Sequence, residues 1–170
     1  MAQFPDLLVE QLPQLRAFAR MLARNPTLAD DLVQETVLRA LTNVDKFAPG
    51  TNLGAWLATI LRNQFYNELR SRARRAAYAA ALPPLVGRDG DQEARLALRE
   101  FERAFHALPA TQREALSLVG ASGFSYEEAA RIVGCAAGTI KSRVCRARVE
   151  LARRLEQEKR STADPLRFAA

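Results

Sequence analysis

At 170 residues the chain holds one or two small domains, and 48% hydrophobic content is enough to build true cores. A net charge of +6 with a pI near 10.0 points to an anionic partner. Two cysteines and one histidine without zinc-ligand spacing exclude a disulfide framework and a metal site of the usual kind. The N-terminus has no basic-then-apolar signal, and no run approaches the ~18 apolar residues of a membrane span. A cytoplasmic chain is therefore expected, with Cys135 and Cys145 as buried or half-buried thiols.

Leu7 to Ala23 has helical periodicity, with Leu8, Leu12, Leu15, Phe18, Ala19 and Leu22 on one face despite Pro13. Asn25-Pro26-Thr27 ends that helix and caps the next, placing Asp30 and Asp31 in a first turn where acids complement the helix dipole. The second helix runs to about Asn43 and is predicted to bury Leu28, Leu32, Thr36, Ala40 and Leu41. A loop from Asp45 to Asn52 precedes a third helix, Leu53 to about Arg75, whose Trp56, Leu57, Ile60 and Leu61 read as core. Residues 76–92 include Leu82-Pro83-Pro84 and Gly87-Arg88-Asp89-Gly90, which cannot be continuous helix and read as a linker. Helix resumes near Gln92 with Leu96, Leu98, Phe101 and Phe105, and stops at Pro109. Thr111, with Glu114 three residues on, reads as the cap of a further helix that Gly120 and Gly123 close.

Residues 125–148 form a helix-turn-helix pattern. Ser125 and Glu128 make a capping box, and Ala129, Ala130, Ile132 and Val133 give a compact apolar face. Gly134 then marks a tight turn. Ile140, Val144, Ala147 and Leu151 stripe the second helix, leaving Lys141, Arg143, Arg146 and Arg148 mainly off that stripe. In such motifs the second helix enters the DNA major groove. Residues 62–75 carry five arginines against one acid, and residues 137–154 carry six basic residues against one acid. These windows hold +4 and +5, so the remainder of the chain is net −3. Two separated basic helices suggest two contacts along a polyanion. The expectation is an all-α chain of two small helical domains, 1–75 and 93–160, joined by a linker at 76–92 and followed by a polar tail at 161–170.

That organisation resembles the extracytoplasmic-function class of bacterial RNA polymerase sigma factors. Ala29-Asp30-Asp31-Leu32-Val33-Gln34-Glu35-Thr36, Asn52-Leu53-Gly54-Ala55-Trp56-Leu57 and Ile60-Leu61-Arg62-Asn63 match the pattern of sigma region 2. Leu108-Pro109 and Gly138-Thr139-Ile140-Lys141-Ser142-Arg143 match region 4. The stretch Phe47 to Leu57 is similar to the alphaproteobacterial general-stress, EcfG-like subgroup.

The resemblance implies an alternative sigma factor that binds core RNA polymerase, directs it to −35/−10 promoters and assists melting without being an enzyme. Asp31, Gln34 and Glu35 would meet the polymerase clamp, whereas Asp30 reads as a helix-dipole complement. The −10 element would fall to Lys46, Phe47, Pro49, Gly50, Thr51, Asn52, Arg62, Asn63, Arg70 and Arg74. Plain turn chemistry explains Pro49-Gly50 equally well. The −35 element would meet Thr139, Lys141, Ser142, Arg143, Cys145 and Arg146, although Ala136 and Ala137 make a weak start to that helix. No cofactor and no small-molecule substrate are called for. A small helical anti-sigma factor is the implied restraint, since nothing within 170 residues looks like an autoinhibitory domain.

The rival from another class is a sigma-mimicking protein that binds an anti-sigma factor and no promoter. Eleven basic residues in two helices speak against a decoy. A dimeric helix-turn-helix repressor leaves the first module unexplained. A nucleic-acid enzyme lacks clustered carboxylates.

Overall fold

The computed structural model describes residues 4–23, 25–78 and 92–162, which form α-helices and no strand. Module one comprises α1 (Phe4–Leu22), α2 (Pro26–Thr42) and α3 (Leu53–Tyr78). Helix α1 buries Leu8, Leu15, Phe18, Ala19 and Leu22. Pro13 lies on its exposed side, where the carbonyl freed on the preceding turn can meet water.

Asn25 caps α2, its Oδ1 accepting from the N–H of Thr27 (2.8 Å) and of Leu28 (3.3 Å). Pro26, with its φ already near helical values, is then the first residue of the helix. Asp30 and Asp31 consequently lie beyond the first turn, not in it as expected. Ala29, Leu32, Val33, Thr36 and Ala40 form the buried stripe. Leu41, expected inside, is 45% exposed, because it sits one residue and so about 100° round from Ala40. Thr36 Oγ1 donates to the Leu32 carbonyl (2.7 Å) and meets the side-chain amide of Gln64 (2.9 Å), tying α2 to α3. Leu57, Leu61 and Phe65 of α3 complete the core, each large side chain contributing about 1.5–3 kcal/mol by leaving water.

Module two comprises α4 (Gln92–His106), α5 (Ala110–Leu116), α6 (Tyr126–Val133) and α7 (Ala137–Thr162). The linker expected at 76–92 falls largely outside the described residues, α3 reaching Tyr78 and α4 starting at Gln92; the tail beyond Thr162 also lies outside them. Leu98 is 55% exposed, contrary to expectation, while Phe101 and Phe105 stack at 5.8 Å and pack with Leu108, Ala147 and Leu151. Pro109, not Thr111, caps α5. Its carbonyl already accepts from Gln112 (2.9 Å) and Arg113 (3.0 Å), so the helix begins before Thr111. One π-helical turn, Ser117–Ala121, extends α5 through Gly120, and the chain turns at Gly123 with φ +69°.

The capping box on α6 is present, with Glu128 N–H donating to Ser125 Oγ (3.1 Å) and Ser125 N–H to Glu128 Oε2 (2.9 Å). Gly134 ends α6 at φ 78°, ψ 46°, a left-handed conformation that strains any other residue. Ile140, Val144 and Ala147 are buried along α7.

The two modules are docked and share one apolar core. Helix α1 packs on α5 and on the π turn, and α3 packs on α6. Phe124 is seated among Leu15, Phe18, Leu57 and Ala58 with no room for a water molecule. Within module one, Gly54 leaves room for two glutamine side chains of α1: a Cβ there would lie 2.7 Å from Gln11 Oε1 and 3.0 Å from Gln14 Oε1. Gln14 reaches across the seam and donates its amide to the Ser122 carbonyl.

Candidate nucleic-acid interface

Three surfaces gather the residues singled out from the sequence. On α2, Asp31 and Gln34 are exposed and Glu35 is half-buried, all on one side at helical three- and four-residue spacing. Glu35 pairs with Arg39 at 2.6 Å, an exposed contact worth little to stability. Leu38, 57% exposed, continues the same side and was not picked out by sequence.

The 46–52 loop is held from within. After a 3-10 turn at Val44–Lys46, Phe47 packs on Phe4 (6.0 Å between ring centroids) and on Trp56 (5.4 Å), which makes it the loop's anchor. Trp56 sits half-buried in that cluster, on the core side as expected. Thr51 N–H and Oγ1 both donate to the Ala48 carbonyl, at 3.2 and 2.7 Å. Pro49 and Gly50 (φ +85°) are the central residues of this turn, the pairing that a type II turn requires. Pro49, Gly50 and Thr51 all face solvent. Asn52 Oδ1 accepts from Ala55 N–H (3.0 Å) and so caps α3.

Asn63 is exposed one helical turn beyond Ile60, and with Arg39, Asn43, Lys46 and Trp56 it rims a depression of about 240 Å³. Lys46 Nζ donates to Asn43 Oδ1 at 2.6 Å. Arg39 and Asn43 were missed in the sequence, where only their i, i+4 spacing could have linked them; Ile60, read as core, is half-buried beside them. Arg70 and Arg74 are exposed along α3.

Arg62 and Asn52 are placed otherwise. Arg62 Nε lies 2.7 Å from Glu114 Oε1, with the Arg62 side chain 22% exposed and Glu114 only 1%. The guanidinium also stands 4.9 Å over the Tyr66 ring. Burial, then the Glu114 charge, raises the Tyr66 phenol above its usual pKa. Asn52 donates its amide to Glu128 of α6. Glu114 was expected to reinforce a helix cap; it is instead the buried partner of an arginine on the other module.

On α7, Lys141, Ser142, Cys145 and Arg146 are exposed together. Cys145 was expected to be at least half-buried; it lies off the Ile140–Val144–Ala147 stripe and so meets solvent. Arg146 Nη2 donates to Ser142 Oγ (2.9 Å) and its Nε to the Ser142 carbonyl (3.3 Å), and Ser142 Oγ donates to the Thr139 carbonyl (3.1 Å). This chain of bonds holds the arginine along the helix surface. Thr139 is half-buried. Arg143, also half-buried, turns into a cleft of about 590 Å³ at the seam, facing Asn63, Tyr66 and Arg70. The structure thus separates Arg143 from the other residues of its set. No helix among the described residues is long and apolar enough to cross a membrane.

Two family models match the chain: Sigma-70 region 2 over residues 8–75, and Sigma-70, region 4 over residues 98–151. The ECF RNA polymerase sigma factor EcfG of Rhodopseudomonas palustris is 56% identical over 151 residues, covering 86% of this chain and 81% of that protein. The ECF RNA polymerase sigma factor SigM of Mycobacterium tuberculosis is 34% identical over 153 residues, covering 89% of this chain and 76% of its own length. Among solved structures, the sigma factor RpoE from Bartonella quintana, crystallised in complex with the anti-sigma factor NepR, superposes with a TM-score of 0.82. It is 48% identical, and the match covers 90% of this chain and 96% of that one.

Proposed function

The chain belongs to the extracytoplasmic-function family of RNA polymerase sigma factors, and on that premise we propose which of its surfaces performs each part of initiation. The protein is a transcription initiation factor that directs RNA polymerase to promoters. Asp31, Gln34 and Glu35 dock on core polymerase, acidic and amide groups suiting a basic partner face. Lys46, Phe47, Pro49, Gly50, Thr51, Asn52, Arg62, Asn63, Arg70 and Arg74 serve the −10 element. The depression beside Asn63 takes a base extruded from the duplex, offsetting the few kcal/mol that unstacking costs. Asn63 offers such a base both a donor and an acceptor.

Thr139, Lys141, Ser142, Arg143, Cys145 and Arg146 serve the −35 element, with Lys141 and Arg146 able to pair with guanine edges. Residues 1–75 and 93–160 act as the two DNA-facing domains and 76–92 as the linker between them. The work is binding and strand separation in the cytoplasm, and no covalent bond is broken. Likeness to EcfG and to a sigma factor solved with NepR supports a role in the general stress response under a small helical anti-sigma factor. Such a partner would lay amphipathic helices on both modules.

The observation that carries the reading is the pair of outward basic faces, Arg70/Arg74 on α3 and Lys141/Arg146 on α7, in one chain. Run-off transcription with purified core polymerase and a promoter library tests it. A shared −35/−10 pair should emerge among the active templates, and transcription no greater than from core alone would refute it.

A further inference from the structure

Two residues assigned to the −10 element, Arg62 and Asn52, are occupied by glutamates of the opposite module. Glu114 is almost wholly buried against Arg62. A guanidinium recognises carboxylate and phosphate oxygens through the same charge-assisted geometry. The Glu114 carboxylate therefore holds the position on Arg62 that a DNA phosphate would take. Glu128 does the same to the Asn52 amide, an available donor for a phosphate or a base edge.

The contacts are not incidental to the docking. Phe124 fills its seat in module one within the same interface, and Gln14 secures the Ser122 carbonyl beside it. The opposite holds on α7: Lys141, Ser142 and Arg146 remain exposed in the docked chain. The closed form thus leaves Lys141, Ser142 and Arg146 of the −35 face open, with Arg143 turned to the seam, and covers part of the −10 face.

We propose that module two is a built-in inhibitor of −10 recognition, with Glu114 standing in for a DNA phosphate on Arg62. The proposal rests on the assignment of Arg62 and Asn52 to the −10 element. Its consequence is an ordered encounter. The free chain can engage a −35 duplex, while −10 capture waits until the modules part, as they must when each is drawn to its own site. Restraint is then partly intrinsic, although no separate autoinhibitory domain was legible in the sequence. The apparent affinity for the −10 strand is lowered by the fraction of chains that are open.

The test uses the full chain without polymerase. A fluorescent single-stranded −10 oligonucleotide and a −35 duplex, both from a promoter active in run-off transcription, are titrated with wild type, Glu114→Gln and Gln14→Ala. Energy transfer between dyes on α1 and α7 reports opening. Both variants should lower energy transfer and bind the −10 strand more tightly. The gain is about ten-fold if the open fraction rises from about 0.01 to about 0.1. Binding of the −35 duplex should be retained, which also shows that module two remains folded. If Glu114→Gln loses −35 binding, Gln14→Ala decides, because Gln14 lies on α1, outside module two, and its amide donates to a backbone carbonyl across the seam. Wild-type −10 affinity together with undiminished energy transfer overturns the latch. Variants that open but still ignore the −10 strand overturn the assignment of Arg62 and Asn52 instead.

Discussion

Replacing Phe124 with alanine should undock the modules before it unfolds either of them. Phe124 is 5% exposed and packs directly against module one in a seat too tight for water. Truncating a buried phenylalanine costs about 3–5 kcal/mol. Its ring is shared between its own module and the facing one, so about half of this, ~2 kcal/mol, falls on docking. That lowers the docking constant about 30-fold, since each 1.4 kcal/mol is a factor of ten. Trp56 is the sole tryptophan and lies in module one, so its fluorescence follows that module alone, whereas far-ultraviolet circular dichroism follows all helices. In wild type the two signals should trace one urea transition, because the modules share a core. In Phe124→Ala they should separate into two midpoints, both below the wild-type value, since modules this small bury little of their surface alone. Coincident transitions at an unshifted midpoint would refute the view that Phe124 couples the modules.

Replacing Gln34 and Glu35 together with alanine should weaken association with core polymerase and change stability by no more than about 0.5 kcal/mol; wild-type affinity for core would remove them from the docking face. Arg146→Ala should cost about 1–3 kcal/mol of discrimination at one −35 position. Arg74→Ala should weaken binding alike on all sequences and reduce the salt slope by about 1, as titrations at several salt concentrations will read. Equal losses for Arg146→Ala on cognate and scrambled −35 elements would make it a phosphate contact. Asn63→Ala should spare the closed complex yet impair opening, and a premelted bubble template should restore transcription; a bubble that fails to rescue points to misfolding or misdocking. The Ser125 backbone N–H and then the Asn52 amide hold the Glu128 carboxyl below its usual pKa of 4.5. A carboxyl depressed in the folded state stabilises it above pH 4.5 and loses that contribution as the pH falls through the folded value. Glu128→Gln should flatten the acid limb of the stability curve below pH 4.5, and an unaltered limb in that variant would refute the assignment.

What could be read from the sequence was local. The Ser125/Glu128 capping box, the Gly134 turn and the Ile140–Val144–Ala147 stripe each lie within a few residues, and each is present. Asp31 and Gln34 were legible as exposed because the apolar positions around them fix the opposite face of α2. The seam was not legible. Its polar contacts join residues 52, 76 and 108 positions apart, and no periodicity encodes such pairings. The Thr111/Glu114 pair had the spacing of a cap, but Pro109 began the helix earlier and left Glu114 to face inward to Arg62. Gly54 falls within a family motif, but that the glutamines of α1 lie against it could not be read from spacing. Leu41 and Leu98 fit an apolar period loosely and lie outside the core, because one residue of phase decides which side of a helix they occupy.

The seat of Phe124 also bears on how the chain is made. Leu15, Phe18, Leu57 and Ala58 have all been synthesised by the end of α3 at Tyr78, when Phe124 is still about 46 residues from being added. At about 5–20 residues per second that interval lasts about 2–9 s. Throughout it, the face of α1 and α3 that the ring will later cover stands without it.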